Sequence, residues 1–368
     1  MNFDYSEEQK MLVQSLERTL AKTYDFETYR SQLATKTSHD PALWNSLAEL
    51  GIMAMPLPEA AGGFDGNHTD IALISAELGR RLVPEPYVSN VVLSAFVLNA
   101  ARGDASLDQV SQIATGETKY AVGFYEPGER HNPLAVNTTA EKTDGGWVIS
   151  GHKAVVLGGD TASELIISAD AGGASLFIVP ADADGLSIRK YQLLDGRGAA
   201  DLIFDNVSLG ADALIADAGN AEAIILDAID RGAAALVADS LGAIEEIINM
   251  TKEYLRTRTQ FGRPIGSFQV LAHRMVDLLV DYEQAKSMSM EASVEAINEN
   301  RTERQKAISA AKAKVGAVSR KFGKESIQMH GGIGMTDEYA LGAYVKRLLV
   351  NETLFGDTDY HLERYSSL

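Results

Sequence analysis

The stretch RTRTQFGRPIGSFQ carries side chains suited to binding a phosphate-bearing ligand. Arg258 offers a planar guanidinium that can donate two parallel hydrogen bonds to phosphate oxygens. Phe261 adds an apolar ring, Gly262 is predicted to end a helix, and the amide of Gln269 follows just after the next helix begins. Taken alone, Arg258 could equally be one more solvated charge on a helix.

The stretch QMHGG offers a second set of groups for the same purpose. Gln328 provides an amide side chain, and the missing side chains of Gly331 and Gly332 would let backbone amides reach a ligand. The alternative is that the glycine pair forms a plain helix C-cap. Taken singly, each of the two stretches is better explained by its structural alternative than by contact with a ligand.

Two carboxylates are candidates for a catalytic base, the group that removes a proton from a substrate. Asp230 directly precedes Arg231 in LDAIDRGAA, and Asp227 lies four residues before that arginine. A structural ion-pair network on one helix is therefore the competing interpretation. Asp357, in LFGDTDYHLERY, is the second candidate, but it could instead cap the segment that follows it. His361 is a nearby titratable group for which a structural role is favoured.

Periodicity predicts helices, then strands, then helices along the chain. Asp40 before a proline is typical of a helix start, and HTDIALISAELGRRL has apolar residues at helical spacing. From Lys119 short β-branched runs alternate with Gly, Asp and Asn, including a hairpin signal at DGG. Helical signals return from Ala213. We therefore predict an N-terminal helical domain (1–118), a central β domain (119–212) and a C-terminal helical bundle (213–368).

Composition narrows the classes of function. The net charge of -18 disfavours nucleic acid and anionic membranes as partners, and no apolar run approaches the length that spans a bilayer. The opening MNFDYSEEQK is acidic and does not resemble a signal peptide, so we expect a cytoplasmic protein. The absence of cysteine excludes disulfides, thiolate catalysis and thiolate metal sites. We expect no metal.

Nearly end to end, the sequence resembles the acyl-CoA dehydrogenase family. RTRTQFGRPIGSFQ and QMHGG carry the resemblance most sharply, and WNSLAELGIMAMPLPEAAGGFDG, GHKAVVLGG and LIFDNVSL add to it. Because the first two occur together at the family's order and spacing, the resemblance favours contact with the family's cofactor over their structural alternatives. The resemblance implies an α+β fold with an N-terminal helical domain, a central β-barrel-like domain and a C-terminal four-helix bundle through which subunits associate. It also implies FAD, whose ADP half, bound mainly to a neighbouring subunit, would contact these residues: Arg258, Phe261, Gln269, Gln328, Gly331, Gly332 and Thr358.

The family's reaction removes a proton from the carbon α to a thioester while hydride passes from the β carbon to flavin, and an electron-transfer flavoprotein accepts the electrons. In many members the base is a Glu in a Tyr-Glu-Gly-Thr-like motif. Aligned on Thr358, this chain has Gly356 at that position, where only the backbone amide could contact the substrate carbonyl. Other members carry the base on an earlier helix, directly before an arginine. That pattern matches Asp230, with Arg231 resembling an arginine near the thioester.

The β domain departs from the family pattern at positions expected to touch flavin. Members carry a Thr-Glu-Pro segment, whereas this chain has Tyr125 before Glu126 and Pro127. Where an aromatic residue and a threonine usually touch the flavin ring, KAVVLGG gives Val155 and Leu157. The flavin-facing positions are thus altered while the groups for the ADP half are kept.

This contrast suggests a heteromeric assembly. LFGDTDYHLERY resembles the C-terminal segment of the small subunit in α2β2 acyl-CoA dehydrogenases, which act on substrates such as pimeloyl-CoA or steroid side-chain acyl-CoA thioesters. On this hypothesis a second, unlike chain completes the flavin site and could supply the base. The alternatives are a self-sufficient homotetramer that uses Asp230 and a non-catalytic subunit that holds part of a partner's FAD. A nucleic-acid binder, as in the alkylation-response branch of the superfamily, is disfavoured by the acidic charge and by the lack of a basic C-terminal extension.

Overall fold

Helices occupy the first and last thirds of the chain in the computed structural model, which describes residues 5–368. The N-terminal helices are α1 (Glu7–Thr23), α2 (Phe26–Thr35), α3 (Pro41–Glu49), α4 (His68–Arg80), α5 (Ala95–Arg102) and α6 (Leu107–Ala114), with a buried π-helical segment at Val88–Ser94. The later helices are α7 (Ala221–Thr257), α8 (Gln269–Glu295), α9 (Arg301–His330), α10 (Leu341–Thr353) and α11 (Thr358–Ser367).

Local chemistry explains where several helices begin. The Ser6 side chain accepts from the amide of Gln9, whose own side chain accepts from the Ser6 amide, which is a capping box. Asp40 caps α3 by accepting from the Ala42 amide, and Pro41 follows at the first helical position. The helix start predicted at Asp40 is therefore confirmed.

The strands form one large mixed sheet and one small hairpin. The strands of the large sheet are β1 (Tyr120–Gly123), β2 (Thr139–Thr143), β3 (Gly146–Leu157), β4 (Glu164–Asp170), β5 (Ala174–Pro180), β6 (Leu186–Gln192), β7 (Gly198–Gly210) and β8 (Leu214–Ala216). Their order is β6-β7-β3-β2-β4-β5-β8, with β1 parallel to β4. A turn at Asp144–Gly145 joins β2 to β3, which confirms the hairpin predicted at DGG.

The small hairpin corrects one prediction. β9 (Thr259–Gln260) pairs with β10 (Arg263–Pro264), and the turn between them consists of Phe261 and Gly262 at φ values of 53° and 77°. Two successive residues with positive φ are typical of a tight hairpin turn. The prediction that Gly262 ends a helix is wrong, because α7 already ends at Thr257 and the chain then reverses direction.

The chain divides into two compact units, each built from separate segments. The first unit comprises residues 5–29, Ala72–Val83 and Ala233–Leu368, and the second comprises Arg30–Ile71 and Pro84–Gly232. This division does not test the predicted boundaries after residues 118 and 212, which stay a prediction. The order of helices, mixed sheet and helices confirms the predicted α+β class. No helix within residues 5–368 is long and apolar enough to cross a membrane.

In the first unit, close backbone contact and a buried ion pair join α4, α7 and α10. A Cβ at Gly79 would lie 2.1 Å from the Asp239 carbonyl oxygen, and one at Gly242 would lie 1.8 Å from that of Ala76, so only glycine permits this approach. Asp239 accepts from the guanidinium of Arg347 at 2.7 and 2.9 Å, with both side chains buried. Such a pair is stable only with complete hydrogen bonding.

In the second unit, the large sheet contributes its own core. Side chains from β3, β4, β5 and β7 pack together with almost no exposed surface, among them Ile149, Leu165, Phe177, Val179 and Leu202. This apolar core fixes the strands that carry the residues expected near flavin.

Candidate functional site

In the first unit, the ends of α7 and α9 lie together. The rings of Tyr254 and His330 stack with their centroids 4.6 Å apart, and the Tyr339 hydroxyl lies 3.3 Å from Nε2 of His330. These contacts place the segment that begins at Arg258 in the same region as the end of α9. We call the exposed set Arg258, Phe261, Gln269, Gln328, Gly331 and Gly332 the donor surface.

The donor surface presents three polar side chains that no other described residue binds. The side chains of Arg258, Gln269 and Gln328 are exposed, and among residues 5–368 none of them makes a hydrogen bond or an ion pair. Phe261 is 88% exposed at the tip of its hairpin. An exposed ring beside unpaired donors of this kind suits a ligand with an aromatic base and phosphates.

The glycine pair has the helix C-cap geometry that was the alternative interpretation, and its contact with a ligand stays a prediction. Gly331 ends α9 at a φ of 65°, and its amide donates to the Ile327 carbonyl, so it is a helix C-cap. A Cβ at Gly331 or at Gly332 would meet no atom within 4 Å. The backbone at this helix end is therefore open to a ligand, and the whole donor surface fits the ADP half of FAD.

Thr358, the remaining residue expected at the cofactor, is engaged inside the protein. It is the first residue of α11 and is buried, and its hydroxyl donates to Oε1 of Glu352 at 2.9 Å. The same oxygen accepts from Arg320 at 2.6 Å. The buried hydroxyl thus serves to join α11 to α10.

The space beside Gly356 is already filled. Gly356 has a φ of 105°, and a Cβ built on it would lie 2.4 Å from Cδ1 of Tyr360 and 2.7 Å from Nε2 of His361. Contacts that close do not occur for real Cβ atoms, so no side chain fits here without displacing both rings. The position therefore cannot hold a carboxylate in this packing.

Asp357 takes the structural role that was its alternative. It is the N-cap of α11, and its carboxylate accepts from the Tyr360 amide at 2.8 Å. A carboxylate bound to a helix N-terminus is stabilised in its charged form and is held away from other tasks. The geometry thus gives no support to Asp357 as a base.

Asp230 and Arg231 belong to the second unit, where they lie on α7. Asp230 is fully buried, and the guanidinium carbon of Arg231 lies 4.3 Å from the centre of the Phe96 ring.

His68, at the start of α4, is also buried, and neither of its ring nitrogens makes a hydrogen bond to any described residue. Burial, and then the charge of Arg231, lowers the pKa of His68 to about 3. The imidazole is therefore neutral at ordinary pH.

A buried ion pair supports the segment that departs from the family pattern at Tyr125. Nζ of Lys153 donates to Glu126 at 2.6 Å and to the Ser168 hydroxyl at 3.0 Å. Burial lowers the pKa of Lys153, although the carboxylate opposes this shift. Burial has the opposite effect on Glu126, but the hydrogen bond and charge of Lys153 outweigh it and hold the pKa of that carboxyl below its usual value. The pair is therefore ionised at neutral pH.

The two altered positions on β3 have different environments. Val155 is 43% exposed at a bulge, with a φ of 53°, and its amide donates to Asp201 at 3.2 Å. Leu157 is buried, and its carbonyl accepts from the Ser89 hydroxyl at 2.5 Å. Of the two, only Val155 offers its side chain to a ligand.

Sequence reasoning missed three buried cationic or imidazole groups near the candidate residues, namely His68, Lys153 and Lys312. Nζ of Lys312 donates to the carbonyls of Asn351 and Gly356 at 2.6 and 3.1 Å. Each of the three lies in a helix or strand pattern that gave no signal of burial. The partners of Lys153 and Lys312 are distant in the sequence, and only the fold brings them together.

We expect Gly356→Ala to destabilise the first unit by about 2–4 kcal/mol, because the new methyl group meets two rings at a backbone angle that favours glycine. The matched control is Gly172→Ala, at a φ of 93° with no atom within 4 Å of the new Cβ, for which about 1 kcal/mol is expected. Thermal unfolding of both variants measures the difference. Equal losses would mean that Tyr360 and His361 move aside freely.

The buried His68 predicts a loss of stability in acid. Its pKa is about 3 in the folded chain and near 6.5 when unfolded, so below pH 6.5 the unfolded state binds the additional proton. The unfolding free energy that depends on a neutral His68 is fully present above pH 6.5 and is lost as the pH falls towards 3. Between pH 7 and 5 the wild type should lose about 2 kcal/mol more unfolding free energy than His68→Gln. Parallel pH profiles from denaturant titrations would contradict this assignment.

Comparison with known proteins agrees with this architecture. The family models for acyl-CoA dehydrogenases match three consecutive parts of the chain. The N-terminal domain matches residues 6–114, the middle domain matches residues 121–207 and the C-terminal domain matches residues 223–366.

Individual relatives extend the match over almost the whole chain. Acyl-CoA dehydrogenase IpdE2 of Mycobacterium tuberculosis is 30% identical, with 93% of this chain and 91% of the relative covered. The solved structure of a Tcur3481-Tcur3483 steroid ACAD variant is 28% identical with a TM-score of 0.87, covering 98% of this chain and 97% of that chain. PigA with FAD and proline has the same fold, with 22% identity, a TM-score of 0.92, and 100% and 98% coverage. The chain belongs to the acyl-CoA dehydrogenase family, a family of FAD-dependent oxidoreductases.

Proposed function

We propose that this chain is one subunit of a heteromeric acyl-CoA dehydrogenase that introduces an α,β double bond into an acyl-CoA thioester. A base removes a proton from Cα, and a hydride leaves Cβ. FAD, when bound, supplies the acceptor for that hydride. The observation that carries the proposal is the turn at Gly356, which has no room for the carboxylate that many members use there.

In this proposal the donor surface binds the ADP half of an FAD held mainly by another subunit. Arg258 contacts phosphate oxygens, and Phe261 lies against an apolar face of the cofactor. The amides of Gln269 and Gln328 add directional hydrogen bonds. Support comes from the exposure of these side chains and from their lack of partners among the described residues. A second chain is then required to complete the cofactor site.

The proposal of an unlike partner chain rests on two residues of this chain and on the composition of one related protein. Val155 gives the sheet an aliphatic side chain at a position where members usually have an aromatic residue, and Gly356 offers only backbone. The Tcur3481-Tcur3483 protein, named as a steroid ACAD, consists of two different chains. We propose the same kind of pairing here, with a bulky acyl-CoA as substrate. An electron-transfer flavoprotein as acceptor and a cytoplasmic location stay predictions.

Asp230 is the carboxylate that we propose as base where this chain provides one. It is fully buried, and water is therefore excluded from it. Arg231, next to it on α7, would lie near the thioester. The same observation favours a second candidate, a homotetramer that is active without an unlike chain.

The first test is the flavin content of the protein recovered with its natural partners. A tag on this chain in its source cells should co-purify an unlike acyl-CoA dehydrogenase chain, with about one FAD per unlike pair by visible absorbance and little flavin on this chain alone. A homotetramer with one FAD per subunit and full turnover would contradict the heteromeric proposal. A full pair whose activity resides only in the partner would show a non-catalytic subunit.

The donor surface is tested in the same preparation with Arg258→Gln. We expect FAD to bind about 10–100-fold more weakly, because a charge-assisted hydrogen bond contributes about 1.5–3 kcal/mol. Arg256→Gln, which removes an exposed arginine two residues earlier on α7, is the matched control and should retain FAD. Equal FAD content in the two variants would contradict the assignment.

The base is tested with Asp230→Asn in the assembled enzyme. If Asp230 removes the Cα proton, we expect kcat to fall about 10²–10⁴-fold, together with the exchange of that proton with solvent, while FAD stays bound. Asp227→Asn, one turn earlier on the same helix, should retain most of the activity. Unchanged turnover in Asp230→Asn would move the base to the partner chain.

A further inference from the structure

The turn between α10 and α11 has an unusual backbone. Phe355 and Gly356 follow one another at φ values of 59° and 105°. Positive φ is easy for glycine but unfavourable for a bulky residue such as Phe. Such a conformation persists only where the surrounding structure holds it in place.

Two buried side chains hold this turn from within the first unit. Nε2 of His361 lies 3.0 Å from the Phe355 carbonyl oxygen, and Nζ of Lys312 lies 3.1 Å from the Gly356 carbonyl oxygen. His361 has no exposed surface, and Lys312 is 3% exposed. Each carbonyl of the turn is therefore fixed by a different buried donor.

The contact with His361 defines which ring nitrogen carries a proton. A carbonyl oxygen only accepts, so Nε2 must be the donor in this hydrogen bond. The other ring nitrogen, Nδ1, lies 3.3 Å from the Ser309 hydroxyl, which can donate to it or accept from it. His361 thus donates to the Phe355 carbonyl in its neutral and in its charged form.

The Phe355 carbonyl and the Gly356 N–H belong to one peptide group, so the contact with His361 also fixes the direction of that N–H. It is planar and trans, since the described chain contains no cis peptide bond. The N–H of Gly356 therefore points away from the side on which His361 binds the carbonyl. Gly356 is a buried residue, and its N–H makes no hydrogen bond to any residue in 5–368. Unpaired N–H groups at buried residues are rare in folded proteins and need an explanation.

We infer that His361 is a positioning residue, whose hydrogen bond to the Phe355 carbonyl aims the Gly356 N–H at the thioester carbonyl oxygen of the bound acyl-CoA. The inference rests on the proposed function. As the Cα proton leaves, negative charge develops on that oxygen, and a fixed donor stabilises it. Lys312 fixes the next peptide, between Gly356 and Asp357, by donating to the Gly356 carbonyl.

Two ligands that differ in one carbonyl oxygen distinguish a role of His361 in orienting the Gly356 N–H from a role in packing alone. The assembled, FAD-loaded enzyme is titrated with an acyl-CoA thioester that it does not turn over and with the matching thioether, which lacks the carbonyl oxygen. Wild type should prefer the thioester by about 10-fold, the value of one good hydrogen bond. His361→Phe, which keeps a ring but has no donor, should reduce this preference to less than about 3-fold with little change for the thioether.

His361→Gln is the conservative variant, because its side-chain amide can still donate to the carbonyl. It should retain most of the preference for the thioester. If His361→Phe does not assemble, His361→Asn, which is too short to reach the carbonyl, is measured in its place. The thermal midpoint of each variant confirms that it is folded.

Two outcomes overturn the inference in different ways. A folded His361→Phe or His361→Asn enzyme with the wild-type preference, or with equal losses for both ligands, would show that His361 has only a packing role, while the proposed function stands. A wild-type assembly that binds neither ligand would overturn the proposed function and the positioning role with it.

Discussion

The ammonium group of Lys312 organises the end of the chain. It donates to the carbonyls of Asn351 and Glu352, which the end of α10 would otherwise leave without partners, and to the carbonyl of Gly356 in the turn that follows. A buried cation is also favoured there by the helix dipole. With the turn held in this way, α11 places the rings of Tyr360 and His361 where a side chain at residue 356 would begin. The absence of a carboxylate at this position is thus part of how α11 packs, and a substitution at residue 356 alone cannot reverse it.

In the large sheet, too, buried polar contacts hold the backbone while a different residue is exposed. The buried pair of Lys153 and Glu126 is complete, and the carboxylate also accepts from the amides of Asn137 and Thr138. The segment that follows Glu126 is therefore well fixed. At the neighbouring bulge the chain presents the aliphatic side chain of Val155. The buried support beneath this part of the sheet is therefore independent of the side chain that the bulge exposes.

Features that depend on local chemistry were predictable from the sequence. Asp40 before a proline identified a helix start, and DGG identified a hairpin, because each signal acts within a few residues. The stretches proposed to bind the cofactor were chosen from their order and spacing in the family, and their contact with a ligand stays a prediction. The hairpin at Phe261 was missed because QFG continues a helical run, and only the backbone angles reveal the reversal. The packing around Gly356 could not be predicted, since it depends on Lys312, 44 residues earlier, and on rings that fold back from the next helix.

The turn at Gly356 also illustrates that binding a carbonyl and removing a proton are separable tasks. Acid–base catalysis requires a titratable side chain, whereas stabilising a developing oxyanion requires only a directed N–H. A glycine at positive φ can do the second without the first. The base can then lie on α7, as Asp230, or on an unlike chain, with no change in the carbonyl-binding turn. Pairing both carbonyls of the buried turn with Lys312 and His361 satisfies its acceptors, which leaves the Gly356 N–H as the backbone group of the turn without a partner among residues 5–368.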